Sequence, residues 1–224
     1  MSFINNNPPL AGFFMPGVNV KSIATFSQKG GSGKSTLAVH LGVAAEEDAT
    51  SVIIFDRDDA QASASCWAER RAADTPIVLK TPPSQLHAAL KAGSAKGFGL
   101  AIIDGPPHSS PDAAAIARIA DIILIPVRPT AFDLAAVGNA VKIVTAAGKQ
   151  PLFVLSACPP RVPEVADARQ ALADFGEVAP VEIGERIAFS RAIATGQSVT
   201  EFDPLGKAAA EIRALWQWVE EKLQ

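Results

Sequence analysis

The sequence predicts a single α/β domain, a mostly parallel twisted sheet with helices on both faces, and three observations carry that reading. Strand-like runs alternate with helix-like ones along the chain. The strand-like runs, such as "SVIIFD" and "DIILIPV", are continuous in Val, Ile and Leu rather than alternating, which marks strands covered on both faces. Three of them end in polar, chemically useful residues: the loop Ser27–Gly33, the acidic stretch Asp56–Asp59, and Asp104. Ligands in open parallel sheets sit at the carboxyl ends of the strands, so these three ends are expected to converge on one crevice.

Each element has its own signal. "VKSIATF" (Val20–Phe26) is a buried strand that leads into a glycine loop. Lys34–Glu47 then places Leu37, Leu41, Ala44 and Ala45 at helical spacing. "SVIIFD" (Ser51–Asp56) and "PIVLK" (Pro76–Lys80) read as strands. The next helix has Thr81 as its cap, prolines in its first turn and Gly93 as its stop. "FGLAIIDG" (Phe98–Gly105) is a strand, followed by a helix from about Pro111 and the strand "DIILIPV" (Asp121–Val127). "TAFD" (Thr130–Asp133) opens a helix that ends before Gly148, with Asp133 read as a capping residue rather than a catalytic one. The strand "PLFVLSA" (Pro151–Ala157), a helix over Glu164–Phe175, a short strand "APVEI" and two terminal helices complete the chain.

The 224 residues are 48% hydrophobic and 19% charged, enough for one sizeable core, and no charge block or Ser/Gly/Pro tract divides them. Residues 20–224 therefore read as one domain and residues 1–19, with "NNNPP", as a flexible arm. A net charge of −3 does not advertise a nucleic-acid partner, so any such contact must come from a local patch. Cys66 and Cys158 lie in no CxxC or His/Cys cluster and read as reduced thiols. No stretch has the charge and apolar run of a signal peptide or the length of a membrane span, so the chain is expected to be soluble and cytoplasmic.

Chemistry concentrates in "FSQKGGSGKST" (Phe26–Thr36). Gly30, Gly31 and Gly33 let the backbone take positive φ, so that successive N–H groups, Ser32 among them, face one anion. The helix that follows adds the positive end of its dipole. Lys34 is placed to reach β- and γ-phosphates, the Ser35 hydroxyl to ligate Mg²⁺, and Thr36 to bond an α-phosphate. Gln28 stands where the pattern GxxxxGK[ST] has its first glycine, and the loop carries a second lysine, Lys29.

That KGGxGK[ST] variant resembles the deviant Walker A loop of the ParA/MinD ATPases, P-loop NTPases whose early lysine is the signature lysine. The resemblance, strongest to the short plasmid-type partition ATPases, covers Val20 to about Val219. It implies that two ATP-bound chains face each other and that Lys29 crosses to the partner's phosphates, acting like an arginine finger. One loop has room for one ammonium beside its own γ-phosphate, which leaves the second for a neighbour. "IIDGPP" (Ile102–Pro107) is similar to the family's Walker B strand, with Asp104 holding Mg²⁺ through water. "FDRDDAQASASCW" resembles the segment "DxDPQxS", whose second aspartate orients the attacking water. Counted from the strand that residue is Asp58; counted back from Gln61 it is Asp59. Asp58 is preferred. "LIPVRPTAFDLAAV" (Leu124–Val137) is similar to "IPVxPSxxDLxAV", and "EFDPLGKAAAEIRALW" (Glu201–Trp216) to the family's plasmid-type ending.

The resemblance implies a homodimer in ATP, slow intrinsic hydrolysis stimulated by an adaptor protein of the ParB class, and either DNA or membrane as the surface. A basic amphipathic helix would mark the MinD-like membrane branch. Here "AAAEIRALWQWVEEKLQ" sets Ile212, Leu215, Trp216, Val219 and Leu223 on one face with more acidic than basic residues around it, so the face is expected to pack on the core. Non-specific DNA, and hence nucleoid association, is preferred, with Arg161, Arg186, Arg191, Lys207 and Arg213 as candidate phosphate contacts. With no helix-turn-helix ahead of the core, operator-specific repression is not expected. A metabolic P-loop synthetase would need a substrate pocket, for which no extra domain is evident. "SACPPR" (Ser156–Arg161) departs from the asparagine-containing segment of relatives, so base recognition is not assigned. His40, His87 and the loop residue His108 receive no role.

Overall fold

The computed structural model describes residues 20–57, 62–107 and 111–224. The strands are β1 (Lys21–Ser27), β2 (Val52–Asp56), β3 (Ile77–Lys80), β4 (Leu100–Pro107), β5 (Ile122–Val127), β6 (Pro151–Leu155) and β7 (Glu177–Val178). They form one sheet in the order β3-β2-β4-β1-β5-β6-β7, with every neighbouring pair parallel. The helices are α1 (Lys34–Glu47), α2 (Ser63–Ala68), α3 (Leu86–Ala95), α4 (Pro111–Ile119), α5 (Ala131–Ala146), α6 (Pro163–Ala173), α7 (Ile187–Ala194), α8 (Val199–Phe202) and α9 (Lys207–Leu223). The predicted single-domain α/β architecture is the observed one, and the arm of residues 1–19 lies outside the described residues.

Successive strand residues feed two separate cores, which explains the unbroken apolar runs. Ile23, Ile54, Ile102 and Leu124 pack with α1, α2, α7 and α9 on one face. Ala24, Phe55, Ile103 and Ile123 pack with α3 to α6 on the other. Full burial of such a side chain contributes about 1.5–3 kcal/mol. α1 is buried almost all round from Leu37 to Ala45, because the sheet lies on one side of it and α9 on another. On α9, Ile212, Leu215, Trp216 and Val219 are buried and Leu223 packs against the same core, as the sequence predicts.

Four expectations at element ends differ, each for a local reason. Thr81 caps no helix: its hydroxyl donates to the Leu79 carbonyl, and a 3₁₀ turn over Pro83–Gln85 precedes α3. Gly93 lies inside α3, not at its stop. The helix closes instead through Gly97, at φ +83°, with Phe98 N–H bonded to the Gly93 carbonyl and Gly97 N–H to that of Ser94. The last strand is Glu177–Val178 rather than "APVEI", because Pro180 has no N–H for the ladder; Ala179 and Ile183 still donate to Phe153 and Leu155. The chain ends in three helices rather than two. The extra turn, α8, is nucleated by a capping box between Ser198 and Glu201.

One close approach sits where the sheet meets the site. A Cβ at Gly105 would lie 2.4 Å from the Thr25 carbonyl oxygen, at a β1–β4 register shift just beyond the Thr25–Asp104 pair. Backbone cannot yield there as a flexible side chain would. Gly105→Ala is expected to destabilise the chain by about 1–3 kcal/mol in urea unfolding, the range of an overpacked buried site.

Candidate functional site

The loop between β1 and α1 is shaped as the glycines require: Gly31 has φ +72° and Gly33 φ +102°. Gly33 is the N-cap of α1, and its missing side chain leaves the first-turn N–H groups without a side-chain cap. Four orphan donors and the dipole's positive end therefore open at one point, with no acidic residue in that turn. Gly30, Gly31, Gly33, Lys34, Ser35 and Thr36 line a single cleft there, bordered by Trp67 and Ile193. Ser32 is buried, and its Oγ has no hydrogen-bond partner among the described residues.

The two lysines diverge. Lys34 is buried, and its Nζ lies 3.5 Å from the Lys29 carbonyl oxygen, folded over its own loop. Lys29 points the other way: its Nζ is 3.7 Å from Asp133 Oδ2 and 5.5 Å from the exposed Phe132 ring. The N-cap of α5 is Thr130 rather than Asp133: its hydroxyl accepts from the Asp133 N–H at 3.2 Å and donates to Asp133 Oδ2 at 2.5 Å, while the Thr130 N–H goes to the Arg128 carbonyl. Spacing alone could not show the pairing with Lys29, because it depends on how β5 lies beside β1.

Behind Ser35 stands Asp104, fully buried at the end of β4. Its Oδ1 accepts a hydrogen bond from Thr25 Oγ1 at 3.3 Å, and Oδ2 is buried without a partner among the described residues. Burial pushes its carboxyl up to about 7; Asp56 adds to the rise, while the Ser35 hydroxyl, Lys34 and Thr25 oppose it. An acidic group with an orphaned oxygen facing a serine hydroxyl is a poor place for a lone negative charge. It fits a divalent cation, whose charge offsets that cost, with Ser35 and Asp104 as the residues that would hold it.

Asp56 serves structure: its Oδ2 accepts from the Ser65 N–H at 2.8 Å and the Ser65 hydroxyl at 2.6 Å in the first turn of α2. Asp58, Asp59 and His108 lie outside the described residues. His40 is buried among α1, α7 and α8, where Val199 N–H donates to Nδ1 at 3.2 Å and burial lowers its pKa to about 3. It is a neutral core histidine.

Residues 23–199 match CbiA, the CobQ/CobB/MinD/ParA nucleotide binding domain. The chain belongs to this family. By sequence, no curated protein matches it. This CbiA-family chain shares its fold with apo McdA of Cyanothece, at 16% identity and TM-score 0.73 over 92% of this chain and 100% of the other. It also resembles MinD of Pyrococcus horikoshii complexed with Mg-ADP, at 18% identity and TM-score 0.76 over 90% and 96% of the two chains. A third similar structure is a putative plasmid partition protein of Borrelia burgdorferi bound to AMPPNP, at 17% identity and TM-score 0.71 over 91% and 99%.

In this CbiA-family chain the basic residues near the C-terminus are not equivalent. Arg186 is clasped by Glu211 through Nε and Nη2, and Arg213 pairs with Glu47 at 3.2 Å while donating to the Pro204 and Thr200 carbonyls. Arg161, Arg191 and Lys207 are exposed. Among the described residues no helix is long and apolar enough to cross a membrane.

Proposed function

We propose that the chain is a Mg²⁺-dependent ATPase that dimerises in ATP and binds non-specific DNA in that state, so positioning a plasmid, chromosome region or protein assembly. The observation that carries this reading is the divergence of the two lysines. Lys34 lies over its own cradle, and Lys29 is held at the rim by one exposed-side ion pair. In the proposed cycle Lys34 and the amides of Gly30 to Gly33 bind the phosphates, and Thr36 bonds the α-phosphate. Lys29 leaves Asp133 to complete a partner copy's site. Ser35 and, through water, Asp104 would hold Mg²⁺, which would supply positive charge against the phosphates. Asp58, or Asp59 beside it, aligns the attacking water. A lone aspartate in that role makes intrinsic hydrolysis slow, and an adaptor of the ParB class is expected to accelerate it.

DNA is preferred to membrane because the apolar face of α9 is spent on the core. Of the five candidate contacts, Arg186 and Arg213 would each have to give up an ion pair to meet phosphate, so Arg161, Arg191 and Lys207 are the better placed. The family also includes CobQ and CobB, so a metabolic role is the competing class.

The test uses the purified chain with ATP or ADP on a sizing column and with arbitrary DNA fragments. ATP alone should produce a dimer and a DNA shift lost steeply as salt rises. Pelleting with anionic vesicles in ATP, or turnover that demands a small acid and an amine donor, would overturn the reading.

A further inference from the structure

Two side chains outside the glycine loop hold its carbonyl groups, and the sequence motif assigns neither. The Arg128 guanidinium, just past β5, donates from Nη2 to the Gly31 carbonyl. The Ser156 hydroxyl, just past β6, donates to the Ser32 carbonyl at 2.8 Å and is buried. β5 lies beside β1 and β6 beside β5, and the segments carrying the two clamps are tied together: Ser156 N–H bonds the Val127 carbonyl, and Thr130 N–H the Arg128 carbonyl. In "IPVRPT" Arg128 fills a position that the motif leaves open, and Ser156 begins the "SACPPR" segment that departs from relatives.

A trans peptide points its C=O and the next N–H in opposite directions. Fixing the Gly31 carbonyl on Arg128 therefore turns the Ser32 N–H away from Arg128, and fixing the Ser32 carbonyl on Ser156 turns the Gly33 N–H away from Ser156. Glycine-rich backbone has many conformations to lose when it closes on an anion. Two clamps already in place reduce what remains to be lost, which is the effect of preorganisation on affinity.

We propose that Arg128 and Ser156 are positioning residues that set the phosphate loop in its anion-accepting shape before nucleotide arrives. This rests on the ATPase reading above, because the clamps matter only if the loop takes a polyphosphate. The clamps act on the amides rather than on the phosphates, so their loss weakens ATP and ADP alike. A guanidinium acting by charge alone would favour ATP, with its extra charge, and fade in salt.

The experiment is titration calorimetry of ATP and ADP at low and high salt on the parent chain, Arg128→Ala, Arg128→Lys and Ser156→Ala. In parallel, the amide NMR signals of Ser32 and Gly33 are followed in the nucleotide-free proteins. Each alanine variant is expected to weaken both nucleotides by about tenfold, the worth of one charge-assisted or buried hydrogen bond. Lysine at 128 should restore most of the loss, and the Ser32 and Gly33 signals should shift or broaden in the alanine variants without nucleotide. Unchanged affinities, undisturbed amide signals, or a loss confined to ATP that vanishes in salt would overturn the proposal. Failure of the parent chain to bind either nucleotide would instead overturn the ATPase reading, and the purpose of the clamps with it.

Discussion

Replacing Lys29 by alanine is expected to abolish the ATP-dependent dimer while leaving nucleotide affinity of the single chain nearly unchanged. The reason lies in where the ammonium rests. It is 38% exposed and 3.7 Å from the Asp133 carboxylate, a surface pair of the kind worth about 0–1 kcal/mol. Releasing it costs little, so a second copy's phosphates can outbid Asp133 for the charge. Lys34 is different: it is buried over the cradle, and Lys34→Ala should remove nucleotide binding itself. A sizing column in ATP separates the two variants, since Lys29→Ala should elute as a nucleotide-loaded monomer and Lys34→Ala as an empty one. DNA shifting should fail in both. If Lys29→Ala still dimerises in ATP, the trans role is wrong and the Asp133 pair is only a surface contact.

The sheet and the cradle were legible in the sequence because each rests on short-range physics. Strands buried on both faces must be apolar in their interior, as residues 52–55 and 151–155 are, and a loop that aims N–H groups at an anion must contain glycine. The site's supporting contacts were not legible, because they join residues 97 and 124 positions apart. Nothing in "IPVRPT" says that its arginine meets Gly31; that follows only once β5 lies beside β1. The helix start at "TAFD" is legible, although Thr130 and not Asp133 is the cap; the pairing of Asp133 with Lys29 again depends on strand order. The misplaced strand near Pro180 and the misplaced stop at Gly93 have the opposite cause. In each, a local signal is outweighed by the hydrogen bonds actually made, Ala179 N–H to the Phe153 carbonyl and Gly97 N–H to that of Ser94.

Asp104→Asn should flatten a pH dependence of stability while costing the chain its response to Mg²⁺. The carboxyl sits at about 7 in the folded chain against an ordinary 3.8, so between those values the folded state holds a proton that the unfolded state has lost. Stability from this group therefore falls as pH rises, until the carboxylate is ionised in both states above about 7. His40 works in the other sense: its pKa is lowered to about 3, so its burial costs stability below the ordinary 6.5 and nothing above it. The parent's own curve mixes the two, and the difference between parent and variant isolates Asp104. Urea unfolding without nucleotide should show the variant gaining on the parent by about 3 kcal/mol from pH 5 to pH 8, at about 1.4 kcal/mol per pKa unit. Asparagine keeps the acceptor for Thr25 but places an N–H₂ where Oδ2 has no partner among the described residues, so its absolute stability carries a constant penalty of about 1–3 kcal/mol. Mg²⁺ with ADP should stabilise the parent more than the variant, because the cation offsets a charge that only the parent has. A gap that stays flat with pH would show that Asp104 is already ionised in the empty site, and an equal response to Mg²⁺ would remove it from the metal's surroundings.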